Sequence, residues 1–143
     1  MKKFLSKIKN IKKYNFGFGS ENTSMFLNYD NQGSGLASVY ERKLGHMNID
    51  FSKKEKIEIK KIDDFCKEHD INNIDLLKMD VEGHELEVLK GAEKMLSNNS
   101  ISAIQFEFGG ANIDSRTYFQ DFYNLLKDKY TIYRILQNGL YEI

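Results

Sequence analysis

Hydrophobic and polar residues along this chain repeat with two different periods, and the change from one to the other marks its elements. In Ile74–Met79 the apolar residues Ile74, Leu76, Leu77 and Met79 outnumber the polar ones, as in a parallel strand covered on both faces. After Gly83, Leu86, Leu89, Ala92, Met95 and Leu96 recur at three- and four-residue steps, which is one helix face. Acids early in that stretch (Glu85, Glu87) and lysines later (Lys90, Lys94) suit the helix dipole. The same reading predicts a helix at about Lys3–Lys12, strands at Tyr14–Gly19 and Ser24–Tyr29, and a glycine-rich turn and loop over Asp30–Gly45. There follow a strand at Lys56–Ile62, a helix at Asp63–His69, a strand at Asp75–Asp80 and a helix at His84–Leu96. The strand Ile101–Phe108, a glycine turn, the helix Ser115–Lys127 and the strands Thr131–Leu136 and Leu140–Ile143 complete the order.

Strands alternating with helices predict an α/β fold with βαβ units and a mostly parallel sheet. Right-handed crossover places strand 75–80 beside strand 101–108, with helix 84–96 on one face. Gln137-Asn138-Gly139 predicts a C-terminal antiparallel hairpin with a type I′ turn. There is no internal repeat and no linker, so residues 1–143 read as one domain. The chain opens on a helix with no strand before it and stops inside a strand, which suggests part of something longer.

Composition narrows the function classes. The 143 residues are 41% hydrophobic and 29% charged, a globular balance. Lysines and arginines equal aspartates and glutamates at 21 each, which gives no global case for nucleic acid or membrane as partner. The N-terminal MKKFLSKIKNIKK carries six lysines and no acid. Its lysines interrupt every apolar run, so it is no signal peptide, and no segment reaches transmembrane length. Phe4, Leu5, Ile8 and Ile11 share a helical face that packs on the domain or, less commonly, lies on anionic lipid. The single cysteine, Cys66, excludes an internal disulfide and fits a reducing cytoplasm.

The candidate chemistry lies where the strands end, since open α/β sheets bind ligands outside the carboxyl ends of their strands. Lys78, Asp80 and Glu82 share one side of an extended segment, and Gln105 and Glu107 share one on the neighbouring strand. Asp80 and Glu107 then meet at one sheet edge, within reach of one ligand. Two acids in a low-dielectric mouth raise one pKa and make a usable base. Against this, acids commonly begin helices. Glu107 ends the apolar run IQFEF and so calls for a partner or ligand. His84 is a proton carrier, a substrate donor or a surface histidine. It, His46 and His69 lack metal-ligand spacing, so no metal is expected. Gly17-Phe18-Gly19 has Asn22 where a dinucleotide fingerprint needs glycine, and Gly33-Ser34-Gly35 reads as a turn. Glu58-Ile59-Lys60 with Asp50 has nuclease-like spacing, of a kind that arises by chance in so lysine- and glutamate-rich a chain.

Ile74–Ala92 (IDLLKMDVEGHELEVLKGA) resembles the signature of the FkbM-type S-adenosylmethionine-dependent methyltransferases. The resemblance extends to Phe16–Ser20, Gly33–Tyr40, Ile62–Cys66, Ile104–Gly110 and Ser115–Phe122. It implies the class I methyltransferase fold, a Rossmann-like three-layer doubly wound sheet. It also implies S-adenosylmethionine as cofactor and methyl transfer to a hydroxyl of a sugar, polysaccharide or polyketide. Strand 75–80 would be the family's fourth strand and 101–108 its fifth. The family's first strand, glycine-rich loop and second strand have no counterpart here. The expectation is therefore a partial fold, the C-terminal portion of such a domain, with an incomplete cofactor site and no turnover alone. Asp80 is expected as base or orienting carboxylate, Glu82 and Glu107 as holders of a small-molecule or glycan acceptor, and His84 as a lesser candidate for the base. The alternative is a non-catalytic relic or interaction module that oligomerises through its exposed sheet edge.

Overall fold

In a computed structural model, residues 10–143 are described. The expected N-terminal helix falls mainly on residues 1–9, outside the described residues, and Asn10–Lys12 are not helical. The strands are β1 (Gly17–Phe18), β2 (Thr23–Tyr29), β3 (Lys53–Lys60), β4 (Ile74–Met79), β5 (Ile101–Phe106), β6 (Tyr133–Leu136) and β7 (Gly139–Glu142). The helices are α1 (Ile62–Glu68), α2 (Glu85–Lys90), α3 (Glu93–Ser97), α4 (Gly110–Asp114) and α5 (Phe119–Leu126).

β4 and β5 pair in parallel, from Ile74 opposite Ile101 to Met79 opposite Phe106, as the crossover rule requires. The fold is mixed α/β, but the strands form three sheets instead of one mostly parallel sheet: β1-β3-β2, β4-β5 and β6-β7. β2 and β3 run antiparallel, from Thr23 opposite Ile59 to Tyr29 opposite Lys53. The intervening segment holds only a 3-10 turn at Gly45–Met47. Without a crossover helix the chain returns antiparallel.

One core joins α1, α2, α3 and α5 to β4 and β5. Leu86, Val88, Leu89 and Ala92 from the α2 region, Met95 and Leu96 of α3, and Phe122 and Leu126 of α5 bury against Met79 and Ile101. Phe106 stacks on Phe122 with ring centroids 4.6 Å apart. Burial of this kind contributes about 1.5–3 kcal/mol per large side chain. Leu77, Met79, Ile104 and Phe106 pack on one face of β4–β5, and Ile74 and Ile101 close the start of the other. Further along that other face, Leu76 is 55% exposed and its register partner Ala103 is exposed too. The expected burial of β4 on both faces is thus corrected beyond Ile74, where Leu77 and Met79 join the core and Leu76 faces water.

One expected helix is broken and another is shortened. The predicted helix 84–96 divides at Gly91–Ala92, where Gly91 packs against the backbone of Gly19 and its carbonyl accepts from Asp63 N at 3.0 Å. The buried Asp63 carboxylate then caps α3 from another helix, accepting from Lys94 N at 2.8 Å and Met95 N at 3.1 Å. Helix 115–127 instead starts at Phe119. Arg116 adopts a left-handed φ of 56°, and Asp121 accepts from Tyr118 N at 2.8 Å. The preceding glycine turn opens the short α4. The C-terminal hairpin is present, but the turn is not type I′. Gln137 and Asn138 keep negative φ, and Gly139 takes 139°, a value glycine reaches without strain.

Candidate functional site

β4 ends at Met79, and the chain reverses over Asp80–His84 into α2. The reversal uses left-handed backbone twice, at Glu82 (φ 50°) and Gly83 (φ 103°). A Cβ on Gly83 would lie 2.7 Å from the Ala111 carbonyl oxygen, so both conformation and space select glycine. Glu85, 1% exposed, holds the turn from below, its carboxylate accepting from Val81 N at 3.2 Å and Gly83 N at 3.1 Å. A carboxylate at a helix start also meets the positive end of the dipole.

A distant loop clamps the same turn through alternate residues. Ser38 Oγ donates to the Glu82 carbonyl at 2.8 Å, and Tyr40 Oη lies 3.0 Å from His84 Nδ1. Arg42 donates to Glu82 Oε2 at 2.6 Å and, through Nε, to Asp114 Oδ2 at 3.4 Å. Asn28 supports the clamp, its Nδ2 donating to the Ser38 carbonyl at 3.2 Å.

A pocket of about 130 Å³ opens at the carboxyl ends of β4 and β5. Asp80, Glu82, Glu85, Glu107, Asn112 and Arg42 line it, with Gly83 and Phe108–Ala111. The three acids singled out from the sequence therefore meet in one pocket, and their environments differ. Asp80 is half-exposed, with Lys78 Nζ 3.9 Å away. Glu107 is exposed on the open face of the sheet, so the argument that an apolar strand leaves it in need of a partner is corrected: water reaches it. Burial pushes the Glu82 carboxyl above the usual range, and Asp80, Glu107 and Glu85 add to the rise, while Arg42 opposes it. The acid whose pKa rises is thus Glu82, held by Arg42.

His84 does not line this pocket. It is buried behind the turn, against Gly19 and Tyr40, and burial depresses its pKa while Glu87 and Glu85 pull the other way. It is no surface histidine. Arg42 and Asn112 were not found from the sequence: an arginine in a loop and an asparagine after two glycines belong to no recognisable spacing. Asn112 Oδ1 accepts from Gly109 N at 2.8 Å, and its buried Nδ2 has no partner among the described residues.

Elsewhere, Glu58 and Lys60 pair side by side along β3 at 3.8 Å, outside the pocket. Gly33-Ser34-Gly35 forms part of a turn in which Ser34 N donates to Asn31 O at 3.0 Å. Among the described residues no helix is long and apolar enough to cross a membrane, and no three His, Cys, Asp or Glu side chains are grouped to hold a metal.

The model of the methyltransferase FkbM domain matches residues 7–134 of the chain. No curated protein and no solved structure matches it.

Proposed function

Because this chain belongs to the FkbM methyltransferase family, we propose that its pocket receives the acceptor in S-adenosylmethionine-dependent O-methylation. The acceptor hydroxyl belongs to a sugar, polysaccharide or polyketide-type molecule, and the reaction runs in the cytoplasm. The observation that carries this reading is the convergence of Asp80, Glu82 and Glu107 on one pocket at the carboxyl ends of two adjacent parallel strands. Family membership supports S-adenosylmethionine as the methyl donor in general.

This pocket alone does not fit that cofactor. Small-molecule sites enclose roughly 300–1,000 Å³, and a pocket of about 130 Å³ has no room for a nucleoside with an amino-acid tail. Its size suits the reacting edge of an acceptor. In this reading Asp80 orients the hydroxyl and takes its proton, with Glu107 across the pocket mouth. Glu82, fixed by Arg42, forms the wall that holds the acceptor. His84, turned toward Tyr40, is the least suited of the four to meet it. General-base assistance of this kind contributes about 10²–10⁴-fold.

The 143-residue chain should accordingly bind no S-adenosylmethionine by calorimetry and transfer no methyl group. Extending it at the N-terminus with an apolar strand and Gly-x-Gly loop of the same family should restore transfer of a labelled methyl group to a hydroxyl acceptor. Asp80→Asn should then lower the rate about 10²-fold or more. Micromolar cofactor binding by the unextended chain sinks the incomplete-site reading, and an unchanged rate in Asp80→Asn sinks the role of Asp80.

One observation favours a second reading, an interaction module that pairs through its exposed sheet edge. Leu76 and the hairpin residues Ile135, Leu140 and Tyr141 are all exposed, and uncovered apolar strands invite association. Light scattering decides this, since a stable monomer at high concentration removes it.

A further inference from the structure

We propose that a second cavity, walled by the Asp30–Ala37 loop, is a binding site for a neutral saccharide ring. It shares no lining residue with the acid pocket, so the proposal stands apart from the methyl-transfer reading.

The cavity holds about 390 Å³, within the roughly 300–1,000 Å³ of small-molecule sites. Leu27 and Tyr29 of β2 and Lys53 and Glu55 of β3 line it, whereas the residues between them, Asn28 and Lys54, do not. In the antiparallel register Leu27 stands opposite Glu55 and Tyr29 opposite Lys53. Alternate residues paired in this way present their side chains to one face of the sheet. The cavity therefore meets side chains here and not backbone. Leu27 and Tyr29 are half-buried, and Lys53 and Glu55 are exposed, so all four are open to a ligand.

The loop adds Asn31, Gln32 and Ser34, and its shape is set without a ligand. Asn28 and Ser38 exchange backbone hydrogen bonds of 2.8 and 3.0 Å, which closes the loop on β2. Within it Ser34 N donates to Asn31 O at 3.0 Å and Leu36 N to Ser34 Oγ at 3.3 Å. A wall already held in place costs a ligand little ordering.

The lining says what the ligand is. Lys53 and Glu55 share the cavity face, and neither forms an ion pair among the described residues; Lys54, which pairs with Glu41 at 3.3 Å, belongs to the other face. An anion would face Glu55 and a cation Lys53. An apolar ligand would strip water from both charges and return nothing. A zwitterion would satisfy the two charges but gathers its polar groups at one end, leaving the loop amides and the Ser34 hydroxyl unmet. A sugar ring carries C–H faces that suit Leu27 and the Tyr29 ring. Its hydroxyls surround the edge, and each donates and accepts, so ammonium, carboxylate and amide are met alike.

The test uses the whole chain labelled with ¹⁵N, titrated with the methyl glycosides of glucose, galactose and mannose, and with phenylalanine and cyclohexanol as zwitterionic and apolar probes. Expected with at least one glycoside are saturable shifts at Leu27–Ala37 and Lys53–Glu55, with a Kd of about 1–10 mM. Phenylalanine and cyclohexanol should bind at least about tenfold more weakly. Glu55→Ala should weaken the glycoside about tenfold by removing a charged acceptor, and Tyr29→Ala by about as much. Lys54→Ala, on the other face, should leave it unchanged. If Tyr29→Ala fails to fold, Glu55→Ala at its exposed position decides.

No shift with any glycoside at about 50 mM, equal glycoside affinity in Glu55→Ala, or phenylalanine or cyclohexanol binding as tightly as every glycoside overturns the proposal. Shifts confined to Asp80–Gly83 and Glu107–Asn112 overturn it too, and place the sugar in the acid pocket. Glycoside binding here by a chain that stays inactive after extension upholds this site and sinks only the methyl-transfer reading.

Discussion

Gly91→Ala tests the packing that carries the site. Gly91 has φ −72° and ψ −6°, which alanine adopts freely, so the perturbation is purely one of space. The added Cβ would overlap the Gly19 carbonyl oxygen and lie 2.9 Å from its carbon. Carbon atoms rest at about 3.5–4.0 Å, so β1 must withdraw from α2 by roughly half an ångström or more. Backbone cannot turn aside as a flexible side chain can. The withdrawal strains two bonds, Gly19 N to Lys60 O and Asp63 N to Gly91 O, each 3.0 Å. Overpacking costs about 1–3 kcal/mol, and the two weakened bonds about 1 kcal/mol each. Alanine returns up to about 1 kcal/mol through its helix preference. The net is a loss of about 3 kcal/mol, near 10 °C in Tm for a domain of this size. Urea unfolding followed by circular dichroism measures it, with the slope m unchanged. Gly35→Ala is the control, because nothing lies within 4 Å of its added Cβ. It should stay within about 0.5 kcal/mol of wild type. If the two variants unfold at the same urea concentration, the close approach of Gly91 to Gly19 carries no weight and the reasoning fails.

Other substitutions probe the turn and its supports. Asp63→Ala should cost about 2 kcal/mol by stripping α3 of its distant cap; an unfolding midpoint equal to wild type would refute that capping role. Arg42→Gln should raise the Glu82 pKa further, since Arg42 opposes the rise that burial causes, and ¹³C titration of the carboxyl reads the direction. His84 titrates below its ordinary 6.5 because burial disfavours its charged form. The unfolded chain then binds the proton more readily, so stability should fall as pH drops through 6.5 toward the folded pKa. The urea midpoint should show this decline in wild type and less of it in His84→Gln; equal slopes would count against it.

Legibility in the sequence was uneven, for physical reasons. The β4–turn–α2 unit was readable because its periods, its glycine and its acids all point to one answer within a short stretch. The meeting of Asp80 with Glu107 followed from crossover handedness, which needs no detail beyond element order. The helix break was hidden, since Gly91 and Asp63 act on each other across 28 positions of chain. The antiparallel return of β3 was hidden too, because β-rich segments carry no mark of direction. Leu76 misled, as an apolar run reports what could be buried and not which neighbours arrive. Arg42 and Asn112 gain meaning only from Glu82 and Gly109, and no local spacing announces them.

Ser38, Tyr40 and Arg42 reach the turn as every second residue, which fixes the phase of that loop as well as its composition. Deleting one residue between Ser38 and Arg42 would shift the remaining contacts by one position and offer the turn a different set of side chains, while leaving overall polarity and length almost unaltered. Two residues inserted before Ser38 would lengthen the loop and leave the order of the clamp intact. A segment with the outward look of a tolerant surface loop therefore carries a reading frame of its own, and variation within it should come in even steps.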